Sequence, residues 1–215
     1  MQNKLSPEMQ TLLNALEQQG INNDAQQQDR NFKYLNITRD TGEFLYWLVK
    51  SCQVKRILEL GTSNGYSTLW FAAALPEGGE IFTIERSEHK VAEAMANFKR
   101  VGVEHSIDIL VGDVLEQIHH APQEIDLVFM DTQRSVYPQL IEPVLARLKP
   151  GGVIVVDNAI SHANEIQTFV DYFERRDEFT TSLLTVGKGE YLIYKSVDAS
   201  DNKIKNPINY VKQTD

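Results

Sequence analysis

The chain turns on the stretch Ile57-Leu58-Glu59-Leu60-Gly61-Thr62-Ser63-Asn64-Gly65-Tyr66-Ser67. An apolar run, Arg56 to Leu60, has the length and make-up of a buried strand. It breaks at a glycine and opens into a helical stretch, Tyr66 to Leu75. A strand that turns directly into a helix is the opening unit of a doubly wound α/β sheet. Gly61 and Gly65 let backbone pass close to a ligand at a helix N-terminus. A nicotinamide dinucleotide loop needs G-x-G-x-x-G, and Ser63 stands where its second glycine belongs. A pyrophosphate is therefore not expected here, and an NAD-dependent oxidoreductase is the least supported activity.

Outward from this loop the pattern repeats. Strands are predicted at 80–85, 107–111, 125–131 and 152–157, with helices at 89–101, 113–119, 138–148 and 163–175. Leu127 to Met130 leave no polar face, as in a parallel sheet covered on both sides. Runs at 179–186 and 190–195 flank Gly187-Lys188-Gly189, a tight hairpin turn. The predicted fold is α/β: a doubly wound, seven-stranded, mostly parallel sheet whose last strand is antiparallel.

Upstream, Ser6 and Pro7 start a helix over 7–19 that Gly20 ends, and the polar run 22–31 is expected as a loop. A second helix is expected from Thr41 or Gly42 to about Cys52, with Phe44, Leu45, Leu48 and Val49 inward. Trp47, Trp70, Phe71 and Phe98 are expected in the core, and Cys52 as a small buried hydrophobe. Residues 1–195 are expected to form one domain with N-terminal helices. The polar tail 196–215 is expected to dock, if at all, through Ile204, Ile208, Tyr210 and Val211.

The 215 residues carry a net charge of -9, which disfavours nonspecific binding to nucleic acid or anionic membrane. A lone cysteine excludes an internal disulfide. Met1 to Gln10 lack the apolar core of a secretion signal, and no apolar run reaches the length of a membrane span. The expected compartment is the cytoplasm.

Glu59 suits a positively charged ligand group such as the amine of a methionine moiety. Glu85, ending the second strand, suits a ribose, because a carboxylate accepts from two hydroxyls. Asp113, ending the third, suits an exocyclic amine such as that of adenine. Amino acid, ribose and adenine are the three parts of S-adenosylmethionine. The expected cofactor residues are Glu59, Gly61, Ser63, Gly65, Tyr66, Ser67, Glu85, Arg86, Asp113, Val114 and Asp131. Strand four ends in Asp131 and strand five in Asp157-Asn158, hard oxygen ligands for Mg²⁺, Mn²⁺ or Ca²⁺. A strand-end cap is the other role open to each of these acids. His119-His120 is not a metal pair, because adjacent helical residues point apart.

At this point the chain resembles the metal-dependent class I O-methyltransferases, the catechol and caffeoyl-coenzyme A type with its bacterial branch. The resemblance runs from about Leu35 to Lys195. It is carried by Ile57 to Ser67, Thr83-Ile84-Glu85, Gly112-Asp113, Asp126 to Asp131, and Lys149-Pro150-Gly151-Gly152-Val153 leading into Asp157-Asn158. Gly187-Lys188-Gly189-Glu190 looks like the family's terminal hairpin. The resemblance implies a Rossmann-like methyltransferase fold, a cofactor held by Glu59, Gly61, Ser67 and Glu85, and a metal held by Asp131, Asp157 and Asn158. It also implies a small-molecule acceptor with vicinal oxygens and a homodimer. The segment Phe32 to Thr41 corresponds to one that lines the family's site, which makes Ile37, Thr38 and Thr41 candidates. Tyr66 and Tyr137 lie beside the site loops.

One departure stands out. The family lysine three residues after the first metal aspartate, which acts as base, is Arg134 here. Arginine stays protonated, so the expected role is to orient or stabilise an anionic acceptor. His162 is the candidate proton acceptor. The competing functions are methylation of a hydroxylated nucleoside in RNA, which the acidic charge opposes, and non-catalytic sensing of S-adenosylmethionine, which needs no metal.

Overall fold

A computed structural model describes residues 5–197. The predicted docking residues Ile204, Ile208, Tyr210 and Val211 lie outside the described residues. The sheet has seven strands: β1 (Arg56–Leu60), β2 (Glu80–Glu85), β3 (Ile107–Val111), β4 (Ile125–Met130), β5 (Leu148–Val156), β6 (Phe179–Leu184) and β7 (Glu190–Lys195). Their order is β3-β2-β1-β4-β5-β7-β6. Only β7 runs against the rest, pairing antiparallel with β5 and β6. The chain leaves β1 to one side for β2 and β3, then returns to its other side for β4 and β5. That reversal opens a crevice at the carboxyl ends of β1 and β4.

Strand residues alternate between two apolar clusters, one on each sheet face. Ile57, Leu127, Phe129 and Val155 pack against α1 (Pro7–Gln26), α2 (Arg39–Ser51), α3 (Tyr66–Ala74) and α4 (Glu88–Arg100). Leu58, Leu60, Val128, Met130, Ile154 and Val156 pack against α6 (Tyr137–Arg147) and α7 (Ala163–Glu174). The period-2 geometry of a strand dictates this split, and it places Glu59 on the Ile57 face, toward α3. Helix starts follow their caps. Ser6 Oγ accepts from Met9 N at 3.1 Å, and Asp113 Oδ1 from Leu115 N at 2.9 Å at the head of the short α5 (Val114–Gln117). Among the described residues no helix is long and apolar enough to cross a membrane.

Three expectations need correction. Helix α1 does not stop at Gly20 but runs to Gln26, into the first half of the predicted loop. Gly20 is buried, and its missing side chain admits the Asn36 amide, which donates to Leu16 O at 3.2 Å. Asn23 and Asp24 then accept from the Tyr34 and Leu35 backbone, so tertiary bonds hold the last turn. Trp47 is 56% exposed. It sits two residues, about 200°, from Leu45 and so on the opposite helix face. Cys52 is exposed because α2 ends at Ser51 and leaves it as the C-cap, beyond the packed face.

Asp126 fastens the entry edge of the sheet. Its Oδ2 accepts from Lys55 N and Arg56 N, each at 2.7 Å, and Oδ1 pairs with Lys149. These bonds hold its carboxyl below the usual range against the opposing effect of burial. Asp126→Ala is expected to cost about 1–3 kcal/mol, because both N–H groups lose a charged acceptor. Urea denaturation measures this, and an unchanged midpoint would show the clamp to be irrelevant.

Candidate functional site

The crevice is a cavity of about 830 Å³. Of the predicted cofactor residues, Gly61, Ser63, Tyr66, Ser67, Glu85, Arg86, Asp113, Val114 and Asp131 line it. Asn158, Arg134 and His162 reach its wall at the other end. Glu59, Gly65 and Asp157 do not.

Glu59 is fully buried and spends both oxygens inside the protein. It accepts from Ser67 Oγ at 2.5 Å, Thr68 Oγ1 at 2.5 Å and Thr83 Oγ1 at 2.6 Å. Thr83 has one hydroxyl proton and gives it to Glu59, so Thr62, 2.6 Å away, donates to Thr83. Burial pushes the Glu59 carboxyl up to about 7, although the three hydroxyls pull it down. The Glu59 carboxyl does not reach the cavity where a direct grip on a ligand amine was expected of it. It sits behind Ser67 and fixes the start of α3 against β1 and β2.

Gly61 is required by close approach. Its φ is +108°, and a side chain there would strike the Asp131 carbonyl. The ends of β1 and β4 are thereby locked together, with Asp131 N donating to Leu60 O at 3.1 Å. Glu85 ties the loop to β2, accepting from Ser63 N and Ser87 N at 2.9 Å each. Asp113 uses one oxygen as the α5 cap and also lines the cavity, so the cap and the site are not exclusive.

At the other end the acids crowd. Asp157 is buried and accepts from the Asn158 side-chain amide. Glu190 acts on it from the head of β7 and accepts from Thr41 Oγ1 at 2.8 Å. Burial and the neighbouring Asp157 push Glu190 up to about 10. Burial and Asp157 likewise raise Asp131 to about 8, opposed by Arg134 and Lys188. Burial raises Asp157 itself.

Sequence reasoning missed Glu190 as a site residue. The signal was present: an acid heads the apolar strand β7, and the β5–β7 register puts it opposite Asp157. Thr41 belongs to the candidate segment 32–41, but its hydroxyl is buried on Glu190. Ile37 lines the cavity, whereas Thr38 caps α2. Tyr137 is wholly buried, its hydroxyl donating to Met130 O at 3.1 Å.

Arg134 is buried, and its Nε donates to Glu165 Oε2 at 3.1 Å. His162 precedes α7, with Nδ1 2.8 Å from Ser161 Oγ. Asp131, Asp157 and Asn158 are the donors that suit a hard cation. The mutual repulsion of the two carboxylates is what such a cation relieves. Among the described residues no group of three or more acidic, histidine or cysteine side chains forms a metal cluster.

A family model described as O-methyltransferase matches residues 5–193. The catechol O-methyltransferase of Niastella koreensis is 36% identical over 130 residues, 59% of this chain and 59% of that protein. The catechol O-methyltransferase of Mycobacterium tuberculosis is 33% identical over 125 residues, 58% and 57% of the two. The chain spans under two thirds of the length of these curated relatives. Among solved structures, the Bacillus cereus O-methyltransferase in complex with SAH superposes with a TM-score of 0.74 at 25% identity, covering 86% of this chain and 91% of that one. TomG, an O-methyltransferase of Streptomyces achromogenes in complex with SAM, gives 0.75 at 25%, covering 91% and 92%. From the glycine loop to the acidic strand ends, this chain belongs to the O-methyltransferase family.

Proposed function

We propose that the protein transfers the methyl group of S-adenosylmethionine to a hydroxyl of a small molecule with vicinal oxygens, assisted by a divalent cation. One observation carries this: a single cavity joins the Gly61 loop, Glu85 and Asp113 to Asp131, Asn158 and Arg134. The solved relatives that hold SAM and SAH, and those named catechol O-methyltransferase, support the two ends of it.

In the transfer the acceptor oxygen attacks the methyl carbon while the carbon–sulfur bond breaks, and the hydroxyl proton leaves. A cation on Asp131, Asp157 and Asn158, when bound, supplies polarisation of the acceptor oxygens. The chain does the rest by placement. The glycine loop and Glu85 fix the donor, and the shared cavity brings the acceptor within line of it. Arg134 stays charged and offers hydrogen bonds, not a base. His162 lines the cavity and is the imidazole placed to receive the hydroxyl proton. A cytoplasmic homodimer is part of the same proposal.

Mg²⁺ titrated calorimetrically into protein saturated with S-adenosylhomocysteine is expected to bind saturably, and Asp157→Ala to abolish binding. Binding that survives the substitution would place the cation elsewhere. Arg134→Ala is expected to lower kcat/KM at least about tenfold. Unchanged kinetics with a catechol acceptor would remove Arg134 from the site.

Stability should respond to pH through the raised acids. Glu59, Asp131 and Glu190 sit at about 7, about 8 and about 10. Each stabilises fully below its unfolded value, where both states are protonated, and that contribution is lost as pH rises through the folded value. Metal-free protein should therefore melt lower at about pH 8.5 than at about pH 5.5, and Mg²⁺ should narrow the gap. A Tm that rises across this window without metal would contradict the charge crowding.

A further inference from the structure

The cavity wall is more basic than the chain that builds it. The chain carries a net charge of -9, yet Arg30, Arg86, Lys90, Arg134 and Lys188 line the cavity against four acidic side chains. Two of these cations stand at the acceptor end. Arg134 commits its Nε to Glu165, and its two terminal amino groups have no hydrogen-bond partner among the described residues. Lys188 has no side-chain hydrogen bond or ion pair among the described residues. Both act electrostatically on Asp131 and Asp157, which places them beside the reacting end.

The position of Lys188 is built rather than incidental. Ile160 N and Ser161 N donate to its carbonyl at 3.1 Å and 3.0 Å. On either side of it, Gly187 N donates to Asp40 Oδ2 at 3.0 Å and Ala159 N to Gly189 O at 2.8 Å. A side chain on Gly189 would overlap Ile160, so the hairpin turn sits directly on the β5–α7 loop. That loop also carries Asn158 and His162. The backbone is held by four bonds while the side chain is left exposed at the cavity.

We propose that Lys188 and the free edge of Arg134 form an anion subsite, and that the acceptor is a vicinal-oxygen aromatic bearing a carboxylate. The planar fork of Arg134 matches a carboxylate, and the Lys188 ammonium adds a point charge on a mobile stem. Neither cation is a base in this role. They select and orient the acceptor, while the oxygens to be methylated lie toward Asp131 and Asn158. This inference rests on the methyl-transfer function proposed above.

The test compares 3,4-dihydroxybenzoate with its neutral isostere 3,4-dihydroxybenzamide. Binding is read by calorimetry on protein saturated with S-adenosylhomocysteine and Mg²⁺, and methyl transfer is read separately. The acid is expected to bind at least about tenfold tighter than the amide. Lys188→Met should collapse that ratio, Lys188→Arg should restore it, and S-adenosylhomocysteine affinity serves as the folding control. Acid and amide binding alike in the unaltered protein, or a ratio that Lys188→Met leaves in place, would overturn the subsite. Acid-selective binding that depends on Lys188 supports the subsite even without turnover, an outcome that would count against methyl transfer alone.

Discussion

Four acids converge on one sheet edge, and the local structure is arranged around keeping their charges apart. Glu59, Asp157 and Glu190 are buried, and Asp131 lies at the cavity floor. Charges gathered in a poorly solvated place repel one another, and burial there raises the carboxyls of all four. The chain answers each differently. Glu59 is wrapped by three hydroxyls, Glu190 is pushed toward its neutral form, and Asp131 and Asp157 feel the cations Arg134 and Lys188.

These answers knit distant parts of the chain together. Glu59 joins β1 to β2 and α3, and Glu190 joins β7 to α2 through Thr41. The segment before the sheet is therefore not an appendage. Asp40 and Thr41 hold the hairpin, and Ser63 Oγ donates to Tyr34 O at 2.7 Å, closing the cavity roof. Neutralising the acids and shaping the cavity are one structural task, because the groups that do the first form the walls of the second.

Much of this was legible in the sequence wherever position along a strand decides position in space. The run Arg56 to Ser67 predicts strand, turn and helix, and β1 and the start of α3 fall there. Acids at strand ends predict a crevice lined at β2, β3 and β4, which Glu85, Asp113 and Asp131 line. Legibility failed where long-range contact overrides a local signal. Gly20 signals a helix stop, yet Asn36, sixteen residues on, fills the space and the helix continues. Trp47 signals core by its size, but helical phase turns it outward. Glu59 signals a ligand contact, and only the third dimension shows that Ser67, Thr68 and Thr83 saturate it first.

Glu190 and Lys188 were hidden for a related reason: they share one hairpin, and a hairpin declares its turn before its targets. The register of β7 against β5 turns Glu190 in beneath Asp157, while the turn two residues earlier leaves Lys188 out at the cavity. The acid and the cation are thus delivered together to the same carboxylate pair. Lengthening or shifting this turn by one residue would exchange strand faces and move both at once. That explains why the turn is gripped by Asp40 on one side and by the Ala159-to-Ser161 backbone on the other. Charge balance at the strand ends depends on strand register here, so the hairpin is as much a part of the site as the acids it approaches.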